Sequence, residues 1–300
     1  MTWGTPKNHQ LAGQGAVFLC AVLWSTSGLF IKLVDWHPVV IAGTRSFIAA
    51  LFMLGVKVFF APRVFPTVGQ KSKKGPLWAG AFAYAFTMLA FVIANKLTTA
   101  ANAIVLQYSA PVWAALLGWF LIKEKPRWQH WTAMVCVFGG FTLFFKDGLS
   151  TGASPGLPSL GDAIAVLSGV FFGAHSVFMR MQKDGNPADS MLLAHVISFV
   201  ISIPFIILYP PELRLPSVLP IVYMGIVQIG GASLFYSYGL KRITAVQAML
   251  TAMIEPVLNP IWVLVITGER PSVSALIGGG IILAAVLIPG LLGTSKKPPV

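Results

Sequence analysis

Apolar residues come in runs of about twenty along nearly the whole chain, parted by short stretches that hold most of the lysines and many of the prolines. Ten such runs lie near 12–33, 38–60, 76–95, 100–122, 129–146, 160–180, 190–209, 217–239, 244–267 and 273–293. A soluble amphipathic helix shows its apolar residues on one face only, whereas a helix crossing the hydrocarbon layer needs about 20 consecutive apolar residues. The pattern therefore predicts an all-α integral membrane protein with ten transmembrane helices. The first run is longer than a signal-peptide core and no cleavage site follows it before the second, so it is expected to stay as a helix. Ten spans use roughly two-thirds of the 300 residues. The short connections that remain leave no room for a sizeable soluble catalytic domain, so function is expected inside the bilayer.

Composition agrees: 56% of residues are hydrophobic, 10% are charged, and the mean hydropathy is +0.78. A soluble domain carries about 25% charge. The net charge of +12 would point to nucleic acid in a soluble chain. Here its distribution reads as a topology signal, and no nucleic-acid partner is expected. With the amino terminus in the cytoplasm, 15 of the 21 basic residues fall inside and 5 outside, and Arg45 is left within the second span. That bias predicts both termini on the cytoplasmic side of a bacterial-type inner membrane. Cys20 and Cys136 both fall in apolar runs with no CxxC motif, and they read as small buried hydrophobes.

A shift of 145 positions lays the fourth run on the ninth. Asn102 then falls on Gln247, Pro111 on Pro256 with a valine after each, Glu124 on Glu269, and Pro126 on Pro271. Glutamate matches carry weight in a chain with only four glutamates. The chain reads as a tandem duplication, with a first five-helix repeat over 1–147, a Gly/Pro/Ser-rich linker over 148–159, and a second repeat over 160–300. Five is an odd number of crossings, so the second repeat must be inverted relative to the first. Inverted repeats rock about a midplane site to give alternating access, which points to a secondary transporter.

Three stretches carry a family resemblance: Thr44 to Ala50 in the second span, Ala110-Pro111-Val112-Trp113-Ala114-Ala115 running on to Glu124, and Glu255-Pro256-Val257 running on to Gly268-Glu269-Arg270. In these the chain resembles the EamA-type branch of the drug/metabolite transporter superfamily, over nearly its whole length. By overall similarity it also resembles the YddG-type amino-acid exporters within that branch. The resemblance implies a central cavity walled by the first, third, fourth, sixth, eighth and ninth helices, export of small metabolites with amino acids foremost, and a monomer in the lipid bilayer. It implies no cofactor. One departure is that Ala110 stands in the first repeat where Glu255 stands in the second.

On those six helices the candidate substrate-binding residues are Trp24, Ser27, Tyr84, Asn102, Gln107, Tyr108, His175, Gln228, Tyr236, Gln247 and Thr251, with Ser25 beside them. Rings with a polar edge, set among amides and hydroxyls, suit small solutes that have both apolar and polar surface. Each of these side chains has a plainer role open to it, as a helix-to-helix hydrogen bond or lipid-facing packing. Arg45 and Glu255 are the charges well inside spans, where an unpaired charge is costly, and they are the candidates for coupling or gating. Glu255 reads either as a protonation site or amine contact, or as an acceptor closing backbone groups freed by Pro256. Pro111, Pro256 and Pro260 are the candidate hinges, since proline removes a backbone hydrogen bond and kinks a helix. His195 aligns roughly with Arg45 across the repeat and reads as structural.

Enzyme chemistry finds little support. Gly152-Ala153-Ser154-Pro155-Gly156 fits GxSxG, but that motif works on a strand-to-helix turn and here it lies in the linker. HExxH and Walker sequences are absent, every aspartate falls in or beside a loop, and no metal site is expected. The rival reading is a passive facilitator or channel, or an exporter of another solute class such as drugs or nucleotide sugars. A non-transporting scaffold or receptor is more distant.

Overall fold

The computed structural model describes residues 6–26, 30, 33–64, 73–97, 106–144, 160–258, 262 and 273–291. Ser27, Asn102 and Pro260 lie outside the described residues, as do Glu269 and the 148–159 linker.

Among the described residues the chain forms helices in the order that the apolar runs predict, with no strand. They are α1 (Pro6–Ser25), α2 (Pro38–Val64), α3 (Lys74–Leu97), α4 (Ala110–Ile122), α5 (Trp128–Phe144), α6 (Leu160–Arg180), α7 (Ala188–Leu208), α8 (Leu215–Leu240), α9 (Ala245–Leu258) and α10 (Val273–Leu291). Four stretches, Pro38–Phe59, Leu160–Arg180, Ala188–Leu208 and Leu215–Leu240, are each long and apolar enough to cross a membrane. Helix ends follow local chemistry. Thr244 and Gln247 form a capping box at the start of α9, each side chain bonding the other's backbone N–H. Lys123, at φ 58°, closes α4 in the left-handed conformation and turns the chain toward Glu124.

Packing runs across the two halves of the chain. The broad contacts are α2 with α7, α5 with α10, α3 with α6, α1 with α8, α2 with α8, α3 with α7, α4 with α6, α1 with α9, and α4 with α9. In lipid, apolar area gives no drive for helices to associate, so close backbone approach carries the packing. Gly169 and Gly173, one turn apart on α6, meet the Gln107 carbonyl and the Ala110–Ala114 backbone of α4. A Cβ at Gly173 would sit 2.8 Å from both Ala110 O and Ala114 N, so only glycine admits this approach.

One reading of the cysteines needs correction. Cys20 is buried, but Cys136 lies exposed on the outside of α5. A spanning helix is apolar on its lipid face too, so hydrophobic surroundings in the sequence do not separate core from lipid contact.

Candidate functional site

The helical backbone breaks at matched places, immediately before α4 and within α9. Pro111 and Pro256 have no N–H, so neither can complete the helical bond to the residue four positions back. The backbone answers with shorter-range bonds: Ser109 N–H donates to Leu106 O at 3.1 Å and Val112 N–H to Ser109 O at 3.0 Å. In α9, Ile254 N–H donates to Thr251 O at 3.4 Å and Val257 N–H to Ile254 O at 3.1 Å. These are the same two bonds displaced by 145 positions. Turns fall at Tyr108–Ser109 and at Met253–Ile254. Across the gap, Tyr108 OH donates to Glu255 Oε2 at 2.7 Å, joining one break to the other.

Around the breaks stands a connected set of rings. Trp24 of α1 lies 5.3 Å from Tyr236 of α8 and 5.9 Å from Phe172 of α6, centroid to centroid. His175 stacks on Tyr84 of α3 at 4.6 Å and is nearly parallel to Tyr236 at 6.3 Å. His195 of α7 meets Tyr84 edge-on at 5.8 Å. Tyr236 shares a 2.7 Å hydrogen bond with Ser176. His175 Nδ1 lies 2.8 Å from Gly80 O. A carbonyl only accepts, so Nδ1 carries the proton and the Nε2 side faces Met191 Sδ at 3.1 Å.

Polar edges within this set remain open. Among the described residues, Trp24 Nε1, Arg45 Nε, His195 Nδ1 and Gln228 Oε1 are buried and have no hydrogen-bond partner. Buried polar atoms are normally paired, so open ones on Trp24 and His195 of the ring set, and on Arg45 and Gln228, are a feature a ligand could complete. Gln228 sits in a π-helical stretch of α8, Met224–Gly231, and donates from Nε2 to Trp24 O at 3.3 Å. Such wide turns inside α-helices recur at functional positions. Arg45 is buried on α2, and it and Glu255 lie within electrostatic reach of each other.

Other candidates take local partners. Gln107 Nε2 donates to Ser168 Oγ at 2.8 Å, and Ser168 passes its own proton to Thr87 O at 3.0 Å. Thr251 bonds back to Gln247 O at 2.8 Å, and the Gln247 amide oxygen accepts from Thr244 N in the capping box. Ser25 accepts from Trp262 Nε1 at 2.8 Å. The sequence-based list omitted Phe172 and Ser176, although both share a face of α6 with His175 at the i, i+3 and i+4 spacing that could have found them. His195, read as structural, belongs to the ring set. Among the described residues no three His, Cys, Asp or Glu side chains converge on a metal-sized space.

Two ion pairs tie the halves together at one end of the bundle. Arg180 Nε donates to Glu124 Oε1 at 2.8 Å while Arg180 NH1 holds Leu240 O at 2.9 Å. Lys57 Nζ pairs with Asp189 Oδ1 at 2.7 Å. At the opposite end the contacts are a ring stack and a hydrogen bond: His37 stacks on Tyr209 at 4.5 Å, and Trp36 Nε1 donates to Glu212 O at 3.0 Å.

Apolar helices, four of them long enough to cross a membrane, around a buried polar and aromatic site are the architecture of a multi-pass membrane protein. The chain belongs to the EamA-like transporter family, whose model matches residues 11–146 and again 159–290. It is 24% identical over 277 residues, 92% of this chain and 95% of the relative, to an uncharacterized transporter of Archaeoglobus fulgidus. It is also 24% identical over 218 residues to the uncharacterized transporter YwfM of Bacillus subtilis, covering 70% of this chain and 69% of that one. A solved crystal structure shares the fold at a TM-score of 0.78 and 22% identity, covering 95% of this chain and 97% of its own.

Proposed function

We propose that this protein is a secondary transporter that exports small metabolites, amino acids foremost, by alternating access through the site where the breaks of α4 and α9 meet. The observation that carries the reading is the Tyr108–Glu255 hydrogen bond between two matched helix interruptions. In transporters built from inverted repeats, paired interruptions in the two halves are the best pointer to the substrate site. The main helix contacts support two related halves. Exchange each helix for the one five places away and α3–α6 becomes α8–α1, α2–α8 becomes α7–α3, α4–α6 becomes α9–α1, while α2–α7, α4–α9 and α5–α10 map onto themselves. A pseudo-two-fold of this kind fits a 1–147 repeat, a linker over 148–159 and an inverted 160–300 repeat.

Amino acids fit the chemistry of the site. An ammonium group suits the Glu255 carboxylate, a carboxylate suits the open Arg45 and Trp24 donors, and an apolar side chain suits the rings of Tyr84, Phe172 and Tyr236. We infer the YddG-type amino-acid exporters as the subtype, from overall sequence similarity. The contacts at the two ends, ionic at one and a ring stack with a hydrogen bond at the other, are those that would open in alternation. The charge bias places the ionic end, and both termini, in the cytoplasm of a bacterial-type inner membrane.

Counterflow in proteoliposomes tests the reading, with a panel of labelled amino acids, nucleotide sugars and cationic drugs. Transient accumulation of a labelled amino acid against its unlabelled form supports a carrier. Simple equilibration without overshoot would identify a passive facilitator, and overshoot with nucleotide sugars or drugs alone would reassign the substrate class.

A further inference from the structure

Away from the ring cluster, α1 and α8 run side by side and enclose a groove of about 600 Å³. Its walls are one face of each helix: Ala12, Gly15, Ala16 and Leu19 on α1, and Gly231, Leu234, Phe235 and Tyr238 on α8, with Phe52 of α2 as the floor. From Gly231 to Arg242 it follows α8 for about 16 Å, at 1.5 Å per residue. Leu19, Phe235 and Tyr238 line it and are exposed, so the groove opens along the apolar outer surface of α1 and α8. This long apolar slot is lined mostly by apolar side chains and contains none of the open polar atoms of the central site.

One end is different. There Lys241 and Arg242 follow each other just past α8, beside Asn186 and Pro187 of the α6–α7 turn. Lys241 Nζ donates to Gly185 O at 2.8 Å. Arg242 lies 3.3 Å over the Tyr238 ring and donates to Tyr238 O at 3.0 Å. Burial and the neighbouring Arg242 both push the Lys241 ammonium below its usual range, with Asp184 offsetting them in part. Two cations therefore crowd together at the mouth of an apolar slot, and an anion beside them would relieve their repulsion. Basic pockets between spanning helices at a membrane surface take anionic lipid headgroups by this balance.

We propose that the groove binds one anionic phospholipid, its phosphate against Lys241 and Arg242 and one acyl chain along Leu19, Phe52, Leu234 and Phe235. The inference rests only on the chain lying in a bilayer and is independent of which solute is transported. Because α1 and α8 also supply Trp24 and Tyr236, lipid in the groove is placed to set the spacing of two helices that build the substrate site.

Native mass spectrometry of the delipidated full-length protein tests it, with dioleoyl phosphatidylglycerol, dioleoyl phosphatidylcholine and glycerol 3-phosphate as probes. Phosphatidylglycerol should bind about thirtyfold more tightly than phosphatidylcholine, the effect of two interfacial cations. The double variant Lys241→Gln/Arg242→Gln should remove that preference. Gly15→Leu should remove the bound lipid while leaving the basic residues intact, because a Cβ at Gly15 meets nothing within 4 Å and the added side chain would fill the slot. It decides the matter should the double variant fail to fold. Equal binding of the two lipids would mean ordinary annular contact and overturn the proposal. So would binding of glycerol 3-phosphate as strong as that of the lipid, or full phosphatidylglycerol binding by Gly15→Leu.

Discussion

Tyr108 and Glu255 stand 147 positions apart and meet through a 2.7 Å hydrogen bond from the phenol to the carboxylate. Tyr108 lies in the turn three residues before Pro111, and Glu255 lies just after the matching turn and directly before Pro256. The bond therefore links the two places where the backbone of α4 and α9 is most able to bend. Phe141 of α5 backs Tyr108 with rings 5.7 Å apart, which fixes the phenol toward its partner.

Removing only the phenol hydroxyl should expose the value of this link. A hydrogen bond to a charged group contributes about 1.5–3 kcal/mol, and the loss leaves a carboxylate oxygen in need of a partner. Tyr108→Phe should lower the melting temperature in detergent, and its effect should be non-additive with Glu255→Ala, which removes the acceptor. Additive effects in that double-mutant cycle would mean that the two residues act separately.

Two members of the ring cluster should respond differently to substitution. Trp24→Phe keeps a ring against Phe172 and Tyr236 but removes the open Nε1 donor, so transport KM should rise with little change in melting temperature. His175→Ala removes a fully buried ring together with its bond to Gly80 O, at a cost of about 2–4 kcal/mol of stability. If Trp24→Phe transports with unchanged KM, the substrate does not use that donor.

Much of this architecture could be read from residues in one dimension. The apolar runs located the helices, and Pro111 with Pro256 located the interruptions, because a missing N–H acts wherever the chain is helical. Pairings between distant segments were out of reach. Nothing in the sequence says that Tyr108 meets Glu255 or that Arg180 meets Glu124. Gln247 is a candidate substrate contact because it lies on a cavity helix, and Thr244-Ala245-Val246-Gln247 also spells the capping box that its side chain forms. His195 was passed over because a single histidine on an apolar helix gives no sign of which ring it will touch.

The two ionic ties should not be equally strong. Arg180 and Glu124 keep 13% and 25% of their side-chain exposure, against 39% and 24% for Lys57 and Asp189, and Arg180 also holds Leu240 O. Water screens the more open pair, so Lys57→Gln should cost less than about 1 kcal/mol. Arg180→Gln strands Glu124 and Leu240 O together and should destabilise more. It should also raise the reactivity of cysteines placed in the central site toward reagents added at that end. Equal reactivity in both variants and the parent would remove these pairs from gating.

Topology can be tested by labelling. Cys136 is exposed, so a Cys136→Ser background is needed before new thiols are introduced. On that background Ser72→Cys and Ser295→Cys should react only with reagent on the cytoplasmic side, and Ser154→Cys only from outside, as the charge bias requires. Labelling of all three from one side would rule out an odd number of crossings in each half.

Whether transport is coupled to protons turns on Glu255. A carboxylate deep in a membrane protein is favoured as an anion by a donor or a cation and disfavoured by loss of water. Tyr108 donates to it and Arg45 lies within electrostatic reach, so both favour the anion while the apolar surroundings oppose it. Coupling requires that Glu255 be a neutral carboxylic acid in the empty site: a substrate ammonium arriving beside it would then release that proton to leave the carboxylate, and its departure would let one proton return. Glu255→Gln keeps the shape and can still accept from Tyr108, but it cannot titrate. If Glu255 couples, this variant should retain exchange of labelled for unlabelled substrate and lose stimulation by an imposed pH gradient. Gradient stimulation that survives the substitution, or that the parent never shows, would leave Glu255 with the task of holding Tyr108 and the substrate amine. The second break would then be a structural hinge whose counterpart at Ala110 needs no charge.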